Sequence, residues 1–342
     1  MPQGIQDISV IICAYTEERW NDLVAAVESV KQQKLQATEI IVVIDHNPDL
    51  LKQVQDYLPH VTIVENTGVR GLSDARNSGI AVAKGHIVVF LDDDAIATPN
   101  WLMLLIEAFS DPQILGVGGP VKPLWLDSAP TWLPEEFHWV VGCTYRGIPQ
   151  TTQEIRNPIG ANMSFRREVF DTIGGFRGEI GRVGTQPLGC EETELCIRAR
   201  QYWPQRSFLY QSEASVFHRV AGNRTCWSYF CSRCYSEGIS KAFVSQYVGI
   251  KDSLASERSY TFQTLPQGVV HGLIDALFHR DLSGFARAGA IIIGLIVTTI
   301  GYLTGSIFLH ASKSKRSIAP EVVFPHGTEA SQSLTAPTGI LR

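Results

Sequence analysis

From Ile8 to Leu91, short apolar runs rich in β-branched residues alternate with stretches of helical periodicity, and no other feature restricts the fold as strongly. Ile8 to Ala14 suits a buried strand, after which Trp20, Leu23, Val24, Val27 and Val30 recur at helical spacing. The pattern repeats with a strand over Glu39 to Asp45, a helix opening on Pro48 and reaching Tyr57, and a strand over Val61 to Glu65. A helix from Leu72 to Ala83 and a strand from His86 to Leu91 follow. Alternation at this interval predicts a parallel sheet with helices on both faces. With 342 residues, 44% of them hydrophobic, the chain has enough apolar surface to bury such a core.

In sheets of this kind ligands lie beyond the carboxyl ends of the strands. Those ends are polar here: Tyr15-Thr16-Glu17, Asp45-His46-Asn47 and Asp92-Asp93-Asp94. Three adjacent carboxylates repel one another unless a divalent cation sits among them. Magnesium and manganese take oxygen ligands and complete their shells with substrate phosphates, so the triplet points to a nucleotide diphosphate. The plainer alternative is a solvated acidic turn before a helix starting near Thr98-Pro99.

The chain resembles a family 2 glycosyltransferase with the GT-A fold over roughly Ile8 to Lys241. The resemblance rests on Val10-Ile11-Ile12-Cys13-Ala14-Tyr15-Thr16-Glu17, the stretch from Gly71 to Ile80, Phe90-Leu91-Asp92-Asp93-Asp94, Gly160-Ala161-Asn162-Met163-Ser164-Phe165-Arg166, Gly174-Gly175-Phe176 and Glu191-Glu192-Thr193-Glu194-Leu195. Their shared order carries the inference, since each alone is weak. It implies an α/β fold, a Rossmann-like mixed sheet with helices on both faces, followed by a membrane-associated helical region.

The resemblance also implies roles. Ala14, Tyr15 and Glu17 would line the base and ribose pocket, Asp45 would bond the base, and Arg76, Asp92 and Asp93 would belong to the donor site. Asp94, with Asp92 and His218, would hold a divalent cation, Mn2+ or Mg2+. On the sequence alone, Arg76 has the alternative of a helix-surface ion pair with Asp74. Where the family has Glu-Asp, with the second residue as general base, this chain has Glu191-Glu192. Glu192 is the aligned base and Glu191 its rival. The implied reaction is inverting transfer from a nucleotide diphosphate-sugar, with UDP-sugar the family's prior, to a hydroxyl of a lipid-linked or cell-envelope saccharide.

The stretch from Arg224 to Lys241 is aromatic and basic, so Arg224, Arg233 and Lys241 are candidates to meet phosphate on a lipid-linked acceptor, or else the segment packs as an amphipathic helix. Trp125, Trp132 and Trp139 are a sugar-stacking wall or a cap over the sheet. From Ala288 to Leu309 no residue is charged, which is long enough to cross a bilayer core of roughly 30 Å. Arg280 and Arg287 precede that stretch while Lys313, Lys315 and Arg316 follow it, so counting cations favours a cytoplasmic C-terminus. The opening heptapeptide has no leader-like pattern, which puts the catalytic part in the cytosol as well. A re-entrant pair with Val269 to Phe278 reconciles the two expectations.

The expected organisation is a catalytic domain over 1–245, a membrane-associated helical region over 246–316 and a disordered tail over 317–342. Net charge is −5, with no long basic run, which argues against nucleic acid as a partner. Seven cysteines and no leader indicate a reducing compartment, and Cys231 and Cys234 lack the further ligands zinc needs. Two other enzymes remain open on the sequence. A polyprenyl-phosphate sugar synthase has no need of the acidic Glu191-Glu192 site. A sugar nucleotidyltransferase would carry a Gly-rich basic loop where Tyr15 to Arg19 stands.

Overall fold

The computed structural model describes residues 7–182, 187–249 and 255–317; the leader reading and the expected tail from 318 onward fall outside them. The first four expected strands form as β1 (Ile8–Ala14), β2 (Glu39–Ile44), β3 (Thr62–Glu65) and β4 (Ile87–Asp92). The helices between them are α1 (Trp20–Lys31), α2 (Pro48–Tyr57) and α3 (Leu72–Val82). β1 is flanked by β2 and β4 in parallel register, and β3 continues beyond β2.

Successive strand side chains point to opposite faces, and both faces are covered. Ile8, Val10 and Ile12 pack with Leu23, Val27 and Val30 of α1, whereas Ile11 packs with Ala75 and Ile80 of α3. This two-sided burial explains why these strands read as unbroken apolar runs.

Beyond β4 the sheet becomes mixed. β5 (Ala95–Ala97), α4 (Trp101–Ala108), β6 (Ile114–Gly118), β7 (Val121–Trp125), β8 (Gln153–Ile155), β9 (Asn162–Arg166), α5 (Arg167–Ile173), α6 (Glu191–Tyr202), β10 (Ser207–Tyr210) and β11 (Val216–Val220) follow. The large sheet has eight strands in the order β3-β2-β1-β4-β9-β6-β10-β8, with β9 antiparallel to both β4 and β6. A second sheet, β5-β11-β7, sits where β4 ends. The purely parallel sheet read from the early alternation therefore holds only for its first half.

The C-terminal helices are α7 (Trp227–Val248), α8 (Ala255–Ser259), which runs through a π-helical turn at Tyr260–Thr264 into α9 (Leu265–Phe278), and α10 (Ser283–Ser317). α10 runs alongside α7, with Gly294 beside Phe230, Gly301 beside Tyr235 and Gly305 beside Ala242. A Cβ on Gly238 would stand 2.0 Å from the Thr298 carbonyl oxygen, and one on Gly301 2.1 Å from that of Tyr235. The two backbones can approach this closely only because neither position has a side chain. α9 and α10 form a hairpin clamped by Arg287, which bonds Asp275 at 2.9 Å and Asp281 at 2.8 Å. The division expected at residue 245 falls inside α7.

Candidate active site

The acidic triplet sits at the junction of the two sheets. Asp92 is the last residue of β4, at the sheet's centre, and Asp93 and Asp94 turn the chain into β5. β11 pairs with β5 so that His218 stands opposite Ala95, next to Asp94. His218 Nε2 lies 3.0 Å from Asp94 Oδ1. One ligand atom each from Asp92, Asp94 and His218 falls within 4.8 Å of the other two, and among the described residues no other group of three such side chains gathers this way. Two carboxylate oxygens and an imidazole nitrogen suit manganese or magnesium, so the donor set fits a divalent cation.

Two arginines converge on these acids. Arg19 Nη1 bonds Asp93 at 2.9 Å and reaches Asp94 at 3.2 Å, and Arg224 Nη2 lies 3.3 Å from Asp94. Burial would raise the Asp94 carboxyl, but His218, followed by Arg224 and Arg19, holds it well below the usual carboxylate range. Burial lowers His218, yet Asp94 opposite pushes it up to about 10. Burial also drives Asp93 up to about 7, against Arg19, and its Oδ2 has no hydrogen-bond partner.

Arg76 is buried in the core beneath the site, not on the surface of α3. Its Nη1 bonds Glu191 Oε1 at 2.6 Å, and its Nη2 approaches Asp92 at 3.4 Å and the Gly160 carbonyl at 3.3 Å. The guanidinium lies over the rings of Phe176 and Phe90. Asp74 accepts instead from the Val69 amide. Both Glu191 and its neighbour Glu192 line the large cavity, but Glu191 is committed to Arg76. Burial and the charge of Glu191 push Glu192 up to about 8.

Ala14, Tyr15 and Asp45, expected at the base and ribose, line a small cavity of about 70 Å³ together with the acidic triplet. Asp45 already accepts from Asn66 Nδ2 at 2.7 Å and from the Gly71 amide at 3.0 Å, fixing the turn into α3. Gly71 has a φ of 146°, where a side chain is strained. Glu17 lies outside this cavity, exposed and bonded to Asn47 at 2.9 Å.

A larger cavity of about 590 Å³ runs from Asp92, His218 and Glu192 to the inner side of α10, at Leu295, Thr298 and Tyr302. Trp139 lines it and bonds the Tyr260 hydroxyl at 3.0 Å. Trp132 packs into a cap with Trp227 and Phe230, and Trp125 stands against His138. All three cations expected at an acceptor line this cavity, Arg233 and Lys241 from α7 and Arg224 beside Asp94.

Comparisons with known proteins agree with this geometry. The family model described as glycosyl transferase family 2 matches residues 9–174. A glucosyl-dolichyl phosphate glucuronosyltransferase of Haloferax volcanii is 35% identical over 238 residues, 68% of this chain and 76% of the relative. The chain belongs to glycosyltransferase family 2.

Other relatives of this glycosyltransferase include the succinoglycan biosynthesis protein ExoM of Rhizobium meliloti, 22% identical over 70% of this chain and 75% of that protein. The crystal structure of GalNAc-T7 with UDP, GalNAc and Mn2+ superposes with a TM-score of 0.50 at 16% identity. That match covers 71% of this chain and spans half the length of the other, and it supports the GT-A fold alone.

Sequence reasoning did not single out Arg19, which lines the small cavity, or Arg156 and Glu257, which line the large one. Arg19 had a local signal, one helical turn beyond Tyr15 at a strand's carboxyl end. Arg156 and Glu257 had none, because each acquires its meaning from partners distant in sequence.

Proposed function

We propose that this glycosyltransferase moves a sugar, with inversion, from a nucleoside diphosphate-sugar to a hydroxyl of a lipid-linked saccharide at the cytoplasmic face of a membrane. The observation that carries the reading is that Asp92 and His218 of the Asp92, Asp94 and His218 cluster share one cavity with a carboxylate, Glu192, that forms no ion pair among the described residues. Asp92, Asp94 and His218 are the residues that would hold a divalent cation, which supplies neutralisation of the charge that grows on the departing diphosphate.

Glu192 takes the proton from the acceptor hydroxyl as that oxygen bonds to the anomeric carbon. The bond between that carbon and the diphosphate oxygen breaks on the opposite face, and the configuration inverts. A base with a pKa raised towards 8 is well matched to deprotonating a hydroxyl near neutral pH. Arg76 pairs with Glu191 and so offsets part of the negative charge that a second carboxylate places beside the base.

The Haloferax relative's name supports a uronic acid donor and a glucosylated polyprenyl phosphate acceptor as the first pair to assay. The deciding experiment is a panel of nucleotide-sugars with manganese or magnesium, scored for released nucleoside diphosphate with and without a glycosylated lipid. Expected are turnover that chelator abolishes and added metal restores, and loss of that metal response in Asp94→Asn. Equal turnover on a bare polyprenyl phosphate would replace the hydroxyl acceptor by a phosphate one. Release of pyrophosphate from a nucleoside triphosphate would overturn the reading altogether.

A further inference from the structure

On the wall of the large cavity, Arg156, Lys241 and Glu257 arrive from three separate parts of the chain. Arg156 Nη1 contacts both Glu257 oxygens, at 3.0 and 2.8 Å, and Lys241 Nζ bonds one of them at 2.7 Å. Arg233 and Glu237 pair beside them at 3.1 Å. All five side chains line the same cavity as Glu192 and Asp92. This wall holds three cations against two carboxylates, and without Glu257 it would hold three against one.

A buried ion cluster is a poor way simply to fasten a helix. Desolvation consumes most of the Coulombic gain, and apolar residues of similar size would serve as well. A carboxylate held between a guanidinium and an ammonium group is, however, the arrangement that also suits phosphate oxygens. The arrangement lines the same cavity as Glu192 and the inner side of α10, and the link between an acceptor sugar and its lipid would pass through that cavity.

We propose that Arg156 and Lys241 form the seat for the phosphate that joins the acceptor sugar to its lipid, and that Glu257 occupies that seat until the acceptor displaces it. This rests on the reading of the chain as a transferase to a lipid-linked saccharide. It also adds Arg156 to the basic acceptor contact, while Arg224, which lines the same cavity, is paired with Asp94.

The test uses the full chain with farnesyl-phosphoryl-glucose and its neutral counterpart, farnesyl glucoside. The wild type is expected to show a KM for the phosphodiester at least about ten-fold lower, as a charge-assisted contact implies. Lys241→Met and Arg156→Gln should each erase that preference while the donor KM moves less than about two-fold. Glu257→Gln should lower the KM for the phosphodiester, because the internal competitor is weakened. A purely structural link predicts the reverse, a KM raised as in the cation variants, and that result would overturn the proposal. Binding of farnesyl phosphate against farnesol, measured without donor on the wild type, reads the seat independently of turnover and of any variant's folding. Phosphate-selective binding without sugar transfer would retain the seat and reject only the transferase reading, whereas equal binding of the two lipids would reject the seat.

Discussion

Glu191 and Glu192 are adjacent and chemically identical, yet their surroundings separate them. Glu191 is fixed to Arg76 at 2.6 Å, while Glu192 has its pKa pushed up to about 8 by burial and by Glu191. Glu192→Gln is expected to reduce kcat by about 10²–10⁴-fold with donor affinity retained, as measured by steady-state kinetics and donor titration. The wild-type rate should climb as pH rises through about 8, where Glu192 loses its proton, and the Gln variant should lack that limb. The linkage to stability has the opposite sign. An acid whose folded pKa is raised binds its proton more tightly in the native state, so its contribution is present at low pH and is lost as pH climbs from the ordinary carboxylate range towards 8. Thermal melts across that window should show the wild type losing stability relative to Glu192→Gln. Arg76→Met leaves Glu191 buried without a countercharge, and the expected loss is about 3–5 kcal/mol in denaturant unfolding.

Among the elements, the α7 and α10 pair depends on missing side chains. Gly238 and Gly301 let the helices touch backbone to backbone, and the Glu191-bearing α6 packs on the other side of α7 through Ile197, Val244 and Val248. α7 thus joins the catalytic layer to the apolar hairpin, and its polar wall carries Arg233, Glu237 and Lys241 into the cavity. Gly301→Leu forces that contact apart and should cost about 1–3 kcal/mol, read as a lower melting temperature and faster proteolysis near α10. The same change on the outward face, at Ile300, meets half-exposed surface and should leave melting nearly unaltered.

For the whole molecule, α10 is the one described helix long and apolar enough to cross a membrane, but its packing argues for another placement. Ile292, Ile296, Ile300, Leu303 and Ile307 form an exposed stripe at helical spacing, while Ala290 and Ile291 are buried against the catalytic layer. Standing α10 across a bilayer would carry α7, with Arg233, Glu237 and Lys241, into the hydrocarbon. A helix lying in the plane of one leaflet buries the stripe and leaves those charges in place. In a variant lacking the native cysteines, single cysteines at Ala286 and His310 are expected to react with an impermeant maleimide from the same side of sealed vesicles. Labelling from opposite sides would establish a span.

The sequence alone determined the first half of the sheet, because its central strands β1, β2 and β4 are buried on both faces and such burial demands unbroken runs of β-branched residues. It also marked the acidic triplet and the Glu191-Glu192 pair, whose concentrated charge is local and needs a reason. Tertiary structure decided the antiparallel insertion of β9, the second sheet that brings His218 to Asp94, and which of the two glutamates Arg76 engages. It likewise gathered Arg156, Lys241 and Glu257 from separate segments and set α10 against α7. Strand periodicity and like-charge repulsion act between neighbours in the chain and so leave a local pattern. Ion pairing and helix contact act between residues whose proximity exists only once the chain has folded.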